Sequence, residues 1–309
     1  LNGISPRNAF LNTVKKIDGS FALLALISFA GELMYAARKD SPIAVGVGKN
    51  RNFVASDILA LIPHTDRVIF LDNLEAAEIS KDSLSFFDFN GLDIRKTESQ
   101  VAWEASEFSK SEFAHYTLKE IKEQPRTVDL TLGQDDDLFK SFSDVLNSAR
   151  NIYVTGCGTS YHSALIVKHL FAKFLRRPVE AIVSSEFNHQ LDLLDKSDVL
   201  LALSQSGETA DVLSSVRAVR GKGVTILSIA NAPGSTLVRE SDYSIPLKCG
   251  PEVGVAATKS FTSQLVLLYL LTLKMSNMDN EVEAMRLLGD LMSKTLSVES
   301  EIKSLSSNF

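Results

Sequence analysis

Residues 200–211 read LLALSQSGETAD, and this stretch decides the fold of the surrounding chain. Apolar residues up to Leu203 run directly into the polar residues 204–209, and an amphipathic run begins at Ala210. The pattern predicts a buried strand, a hydroxyl-rich turn and the start of a helix. Such a turn gathers backbone N–H groups and hydroxyls at a helix N-terminus, where an anion is stabilised. Because the turn contains no Lys or Arg, neutral donors would hold that anion, which suits a small phosphate monoester.

The alternation of strand and helix extends over the second half of the chain. Strands are predicted at 152–155, 179–183, 198–203, 224–229 and 243–247. Helices are predicted at 136–149, 160–175, 209–220, 235–240, 258–275 and 282–305. Parallel strands are joined by crossover helices, so this alternation predicts an α/β fold with a doubly wound parallel sheet and helices on both faces.

The first part of the chain has a different character. After a predicted helix at 8–16, short strands separated by turns are predicted at 20–29, 33–37, 43–47, 53–56, 67–71 and 84–89. Their close spacing indicates antiparallel hairpins. We therefore expect a β-rich α+β region at 1–96 and a charged linker at 97–135, whose helical periodicity ends at Gln124-Pro125. The α/β domain is expected at 136–309.

The composition excludes several classes of function. The chain has 309 residues and a net charge of −6, and it contains no basic patch, so nucleic acid is not an expected partner. Its longest apolar runs are too short to span a bilayer, so no membrane association is expected. Its two cysteines, Cys157 and Cys249, fit a reducing cytoplasm better than a disulfide framework. The absence of an initiator Met indicates a fragment.

Ligands of doubly wound sheets bind beyond the carboxyl ends of the strands. Residues 156–160, 204–209 and 252–259 fall at or near such ends, and they are rich in glycine and hydroxyl groups. Each also has a plainer interpretation, because Gly156-Cys157-Gly158 could be a tight turn and Ser204 and Ser206 could be helix caps. The coincidence of three such segments in one sheet favours a binding site.

Other polar residues leave alternatives open. Cys157 could be a nucleophile, but no His–Asp pattern accompanies it, and a place in the pocket wall is favoured. Glu186 and Glu252 are equally consistent with pocket carboxylates and with structural roles. The histidines show no metal-ligand spacing, so neither a metal site nor a cofactor is expected.

Several motifs together resemble a known family. CGTSYHS (157–163), SSEF (184–187), LSQSGETADVL (203–213), NAPGSTLVRESD (231–242) and GPEVGVAATKSFTSQL (250–265) resemble, in order and spacing, one domain of the glutamine–fructose-6-phosphate aminotransferase family. That domain is the family's first sugar isomerase (SIS) domain. HYTLKEIKEQP (115–125) is similar to the family's interdomain segment, and the region before it is similar to the end of the family's glutaminase domain, an N-terminal-nucleophile domain.

The resemblance implies a reaction and a set of binding residues. The family transfers ammonia from glutamine to fructose 6-phosphate and forms glucosamine 6-phosphate. Carried over by motif, the phosphate would be held by Ser204, Gln205, Ser206 and Thr209. Thr159 and Ser160 would contact phosphate and sugar, and the sugar site would be lined by Cys157, Gly158 and Val255. Ala257 stands where many members have Ser, so one hydroxyl contact to the sugar would be missing.

The departures from the family limit what this chain is expected to do. The family's glutaminase nucleophile is an N-terminal Cys, whereas this chain begins with Leu1. The family's isomerase acid/base residues and Schiff-base Lys belong to its second SIS domain and C-terminal tail, so we assign no catalytic residue here. We expect a truncated enzyme that binds fructose 6-phosphate or glucosamine 6-phosphate, meets glutamine only through the missing N-terminal part, and forms a homo-oligomer in the cytoplasm.

Two other functions are compatible with parts of the sequence. A non-catalytic SIS protein would bind a sugar phosphate as a sensor or regulator without converting it. Another SIS enzyme, such as a fructosamine-phosphate deglycase or a ketose-phosphate isomerase, would lack the β-rich region at 20–90, which argues against it.

Overall fold

A computed structural model of the chain describes residues 3–27, 33–101 and 105–307. The chain divides after Ser109 into two compact units. Leu1 and the end of the first predicted strand, Ser28 and Phe29, lie outside the described residues. The three-part division at residues 96 and 135 remains a prediction.

The first unit contains a helix and two antiparallel sheets within the described ranges. Its elements are α1 (Pro6–Val14), β1 (Phe21–Ile27), β2 (Leu33–Lys39), β3 (Ala44–Val47), β4 (Asn52–Ala55), β5 (Arg67–Phe70), β6 (Glu75–Ile79), β7 (Leu84–Asp88), β8 (Asp93–Ile94) and β9 (Ser99–Gln100). The strand orders are β1-β2-β6-β7-β8 and β4-β3-β5-β9. Neighbouring strands run antiparallel, which confirms the predicted β-rich first part with antiparallel hairpins.

The two sheets of the first unit pack face to face. Ala36, Ala77 and Phe86 of one sheet share a buried apolar cluster with Val45 and Ile69 of the other. Because successive strand residues point to opposite faces, the alternate residues of the first sheet form a second cluster, which α1 covers.

The second unit has an α/β architecture. Its elements are α2 (Tyr116–Leu132), α3 (Asp136–Ser148), β10 (Ile152–Gly156), α4 (Thr159–Leu170), β11 (Glu180–Val183), β12 (Val199–Ser204), α5 (Ala210–Arg220), β13 (Thr225–Ala230), α6 (Thr236–Arg239), β14 (Tyr243–Pro246), α7 (Lys259–Met275), α8 (Asp279–Met285), α9 (Leu288–Leu296) and α10 (Glu299–Ser306). The strand order is β11-β10-β12-β13-β14, with all pairs parallel. The predicted fold class is confirmed.

Both faces of this sheet are buried. Leu201 and Leu203 of β12 belong to a cluster that also contains residues of α3, α4 and α7. Leu200 and Ala202 of the same strand belong to a cluster with residues of α5. The continuous apolar run that ends at Leu203 is therefore a central strand covered on both sides, as is usual in parallel sheets.

The helical periodicity predicted to end at Gln124-Pro125 belongs to a longer helix. Helix α2 continues through Pro125 to Leu132, and it packs on α7 and α9. A proline inside a helix removes one backbone hydrogen bond and is unfavourable by about 3 kcal/mol in an isolated helix. Burial of Val128 and Thr131 beyond the proline supplies the tertiary packing that keeps the helix continuous.

The prediction of a single helix at 282–305 is wrong. The structure has the three short helices α8, α9 and α10 there, separated near Leu287 and Ser297. In α9, Gly289 lies so close to α2 that an added Cβ would be 2.3 Å from Asp129 Oδ1. The chain bends to follow α2, and apolar periodicity alone does not report such bends.

Candidate functional site

The residues predicted to bind a sugar phosphate surround one cavity of about 400 Å³. Its lining consists of Cys157, Gly158, Thr159, Ser160, Leu203, Ser204, Gln205, Ser206, Thr209, Val255, Ala256 and Ala257. Leu203 and Ala256 are additions to the predicted set. The structure therefore brings the ten predicted residues together, and their role in binding stays a prediction.

The cavity lies where two adjacent parallel strands end. β10 and β12 pair directly, so the loops that follow them emerge at the same edge of the sheet. Helix α4 begins after Gly158, whose φ of +55° is a conformation that side chains rarely adopt. Helix α5 begins after Thr209. The first N–H groups of a helix lack partners within it, so two helix N-termini border the cavity.

Two serines shape the turn between β12 and α5. Ser204 Oγ accepts a hydrogen bond from the Gly207 N–H at 2.9 Å, and Ser206 Oγ accepts one from the Glu208 N–H at 3.1 Å. The two serines therefore stabilise the turn, and neither caps α5, which begins after Thr209. These hydrogen bonds leave each hydroxyl proton free to be donated.

A second layer of contacts supports this turn from α6. The Leu237 N–H donates to the Gly207 carbonyl at 3.0 Å, and the Thr236 N–H donates to Glu208 Oε1 at 2.7 Å. Gly207 has a φ of +66°, and an added Cβ would be 2.1 Å from Ser235 Oγ. The glycine is therefore required both by its backbone conformation and by the close approach of α6.

Ser160 is held by a residue that sequence reasoning missed. Gln264 of α7 donates from Nε2 to Ser160 Oγ at 3.0 Å, and its Oε1 accepts from Ser163 Oγ at 3.0 Å. All three side chains are buried. The signal in the sequence was a glutamine directly before the mostly apolar run 265–271 of a buried helix, since buried polar groups require partners.

The three serine hydroxyls of the cavity have the same hydrogen-bonding pattern. Ser160, Ser204 and Ser206 each accept a hydrogen bond from the protein, and within the described residues none of them donates one. The side chains of Thr159 and Thr209 make no hydrogen bond in the same part of the chain. The lining contains no Lys, Arg, Asp or Glu. This is a cavity of neutral donors, which suits a group with several acceptor oxygens.

The third wall is the loop at 251–258, which precedes α7. Glu252 is buried, and its Oε1 accepts from the Thr258 N–H at 2.9 Å and from the Ser260 N–H at 3.2 Å. These bonds cap the start of α7 and give Glu252 a structural role. Val255 stands fully exposed at the tip of the loop.

Neither cysteine resembles an activated nucleophile. Burial raises the pKa of the Cys157 thiol, and hydrogen bonding to Ser184 offsets this only in part. Burial raises the pKa of Cys249 to about 12, with the Glu252 charge adding to the effect. Both groups are therefore thiols at neutral pH, in agreement with the interpretation of Cys157 as part of the pocket wall.

We predict that Cys157 reacts slowly with iodoacetamide at pH 7.5 and faster as the pH rises above the usual thiol pKa. A raised pKa lowers the thiolate fraction at neutral pH, and the thiolate is the reactive form. Peptide mass spectrometry of the folded chain measures this, with buried Cys249 as the internal reference that stays unmodified. Rapid alkylation of Cys157 at pH 7.5 would contradict the raised pKa.

The remaining polar candidates lie outside the cavity. Glu186 is exposed and lies 3.6 Å from His189, and neither residue lines the cavity. His162 and His169 of α4 are exposed. Across residues 3–27, 33–101 and 105–307, no cluster of three His, Cys, Asp or Glu side chains is placed to hold a metal ion.

In the described part of the chain, no helix combines the length and apolar character that a membrane span requires.

Comparisons with known proteins agree with the geometry. Residues 145–274 match the family model "SIS domain". The chain is 34% identical over 302 residues to glutamine–fructose-6-phosphate aminotransferase [isomerizing] of Aquifex aeolicus, covering 97% of this chain and 51% of the relative. It is 37% identical over 286 residues to the enzyme of the same name from Bacillus cereus, covering 91% of this chain and 48% of the relative. The chain thus spans about half the length of these relatives.

A solved structure supports the same assignment. The C-terminal domain of glucosamine-fructose-6-phosphate aminotransferase from Francisella tularensis aligns with a TM-score of 0.58 and 32% identity, covering 64% of this chain and 60% of that chain. Residues 145–274 therefore match a SIS domain, and over nearly its whole length the chain is similar to about half of a glutamine–fructose-6-phosphate aminotransferase.

Proposed function

We propose that the cavity binds a hexose 6-phosphate, namely fructose 6-phosphate or glucosamine 6-phosphate. The phosphate lies against the turn at 204–209 and the start of α4, and the sugar lies toward Cys157, Val255 and Ala257. The observation that carries this proposal is the set of serine hydroxyls that accept from the protein and retain a proton to donate. A phosphate monoester offers acceptor oxygens to all of them at once.

We further propose that the chain is part of an enzyme that uses glutamine to convert fructose 6-phosphate to glucosamine 6-phosphate. The names of its relatives support this reaction. In this proposal residues 1–96 are part of the glutaminase domain, 97–135 connect it to the SIS domain, and 136–309 supply the sugar-phosphate site. The chain provides binding residues, works without a cofactor, and assembles as a cytoplasmic homo-oligomer with glutamine bound elsewhere in the enzyme.

The alternative is a protein that binds the sugar phosphate without converting it. The cavity lining contains no carboxylate, histidine or lysine that could act as an acid or a base. For the 309-residue chain alone, this lining favours binding without conversion. Incubation of the native protein with glutamine and fructose 6-phosphate separates the two functions. Formation of glucosamine 6-phosphate supports the enzyme, and binding without product supports the non-catalytic protein.

We predict that Thr209→Val weakens the binding of fructose 6-phosphate about 10- to 100-fold. The substitution keeps the side-chain shape and removes one hydroxyl, and a hydrogen bond to a charged group contributes about 1.5–3 kcal/mol. Because the Thr209 side chain does not cap α5, the turn itself should be unaffected. Titration calorimetry of the unaltered chain and the variant measures the difference.

The matched control is Thr225→Val. Thr225 begins β13, at the end of the strands opposite the cavity. The affinity of the Thr225→Val variant for fructose 6-phosphate should therefore equal that of the unaltered chain. If the unaltered chain does not bind either sugar phosphate at millimolar concentration, the proposed ligand is wrong. If Thr209→Val and Thr225→Val bind alike, Thr209 is not a phosphate contact.

A further inference from the structure

Helix α2 reaches the cavity loop at 251–258 through a buried carboxylate. Glu120 is 1% exposed, and its Oε1 accepts from the N–H groups of Val253 at 2.6 Å and Gly254 at 2.9 Å. Its Oε2 is buried without a hydrogen-bond partner within the described residues. A buried carboxylate is unfavourable unless its hydrogen bonds offset the lost hydration. An apolar side chain would fill the same space at a lower cost in free energy. What the carboxylate adds is the pair of bonds to the loop backbone.

Those bonds fix the loop just before it meets the cavity. Val255, Ala256 and Ala257 follow immediately and line the cavity. At the other end of the loop, Glu252 fixes Thr258 and the start of α7. Buried carboxylates therefore fix the backbone on both sides of residues 255–257. Glu120 of α2 binds the backbone before this segment, and Glu252 of the loop binds the backbone after it.

The contact between Glu120 and the loop is also tight. An added Cβ on Gly254 would be 2.4 Å from Glu120 Oε2 and 3.0 Å from Thr117 Oγ1. The backbone of Gly254 therefore lies directly against the carboxylate. The φ of Gly254 is outside the positive range, so this requirement for glycine is steric.

We propose that Glu120 is a positioning residue of the cavity, which holds the loop at 251–258 so that Val255–Ala257 form the wall next to the bound sugar. This role rests on the proposed function for its ligand. It assigns to α2 a contribution to affinity although Glu120 is absent from the cavity lining. The loss of Glu120 should loosen the loop and weaken sugar-phosphate binding together.

The test combines two measurements on the full 309-residue chain. Titration calorimetry gives the affinity for fructose 6-phosphate, and amide hydrogen exchange of residues 250–258 reports the loop directly. Glu120→Ala should weaken binding about tenfold and speed exchange at Val253 and Gly254, since two hydrogen bonds are lost. Glu120→Gln keeps an acceptor oxygen and should stay within about threefold of the unaltered affinity. Arg126→Ala, an exposed change on the same helix, should alter neither quantity.

Gly254→Ala tests the same contact from the loop side. Its added Cβ should displace the Glu120 carboxylate and reproduce the weaker binding and the faster exchange. In the Glu120→Ala background the Cβ no longer meets the carboxylate, and only the Thr117 hydroxyl at 3.0 Å must shift slightly, so the double variant should bind about as well as Glu120→Ala alone. Such non-additivity is the signature of two residues that act through one contact.

The outcomes separate this proposal from the proposed function. If Glu120→Ala leaves the affinity or the loop exchange unchanged, or if Glu120→Gln is as impaired as Glu120→Ala, the positioning role is overturned. If the unaltered chain binds no fructose 6-phosphate, the proposed function fails, and unchanged exchange in Glu120→Ala would then overturn the role in the loop as well. If Glu120→Ala does not fold, Gly254→Ala and Glu120→Gln decide the question.

Discussion

Replacing Gly207 with alanine should destabilise the second unit by about 2–5 kcal/mol and abolish ligand binding at the turn. The left-handed conformation is unfavourable for alanine by about 1–2 kcal/mol, and forcing an extra methyl group into a packed site adds about 1–3 kcal/mol. The Cβ would be 2.1 Å from Ser235 Oγ and 2.6 Å from Ser235 Cβ, so backbone movement is required to accommodate it. Urea unfolding, monitored on the second unit, measures the loss.

Gly158→Ala is the matched control for this experiment. Gly158 also has a positive φ, of +55°, but an added Cβ there would meet nothing within 4 Å. Its loss of stability should therefore contain the conformational part without the steric part and be clearly smaller. Ser235→Gly introduced into the Gly207→Ala variant should recover part of the lost stability. Equal losses for Gly158→Ala and Gly207→Ala would show that the contact with Ser235 does not matter.

Glu123→Gln should reduce the free energy of unfolding of the second unit by about 3–5 kcal/mol, because it leaves the buried Lys259 ammonium without its carboxylate partner. Glu123 Oε2 lies 2.6 Å from Lys259 Nζ, and Glu123 Oε1 lies 3.3 Å from Lys119 Nζ. The side chains of Lys259 and Lys119 are 3% and 9% exposed, whereas that of Glu123 is 25% exposed. Chemical denaturation of the variant and the unaltered chain gives the difference.

Two further variants test whether the loss of stability depends on the burial of the charged groups. Glu283→Gln removes the same charge from an exposed pair with Arg286, and it should leave the stability unchanged. Lys259→Met added to Glu123→Gln removes one buried charge that lost its partner, so the double variant should be more stable than Glu123→Gln alone. A double variant that is less stable would contradict the view that Lys259 needs a counter-ion.

The α/β fold and the cavity could be predicted because their signals are local. The apolar run ending at Leu203 and the hydroxyl-rich turn after it lie within a few residues of each other, and they specify a strand end and a helix start without reference to the rest of the chain. The parallel sheet then brings the loops after β10 and β12 to one edge. The segment 252–259 after the edge strand β14 was also indicated by its position, and family resemblance singled out Val255 and Ala257 within it.

The features that escaped prediction depend on partners distant in sequence. Residues 75–79 read EAAEI, a sequence of good helix formers, yet they form β6 because they pair with β2 and β7 on either side. Pro125 lies inside a helix because that helix packs on α7 and α9. Gln264 and Glu120 reach Ser160 and the cavity loop across 104 and more than 130 residues of chain, and no local pattern reports such contacts.

Under the proposed function, the neutral lining of the cavity also affects how the anion reaches the site. A cleft lined with cations attracts anions from a distance and raises their local concentration, whereas uncharged donors and helix N-termini act mainly at short range. The chain carries a net charge of −6, so an approaching phosphate ester meets weak repulsion, screened beyond about 8 Å at physiological salt. Discrimination begins on contact, when short-range bonds replace water. A site of this kind relies on short-range donors rather than on long-range attraction to hold the proposed ligand.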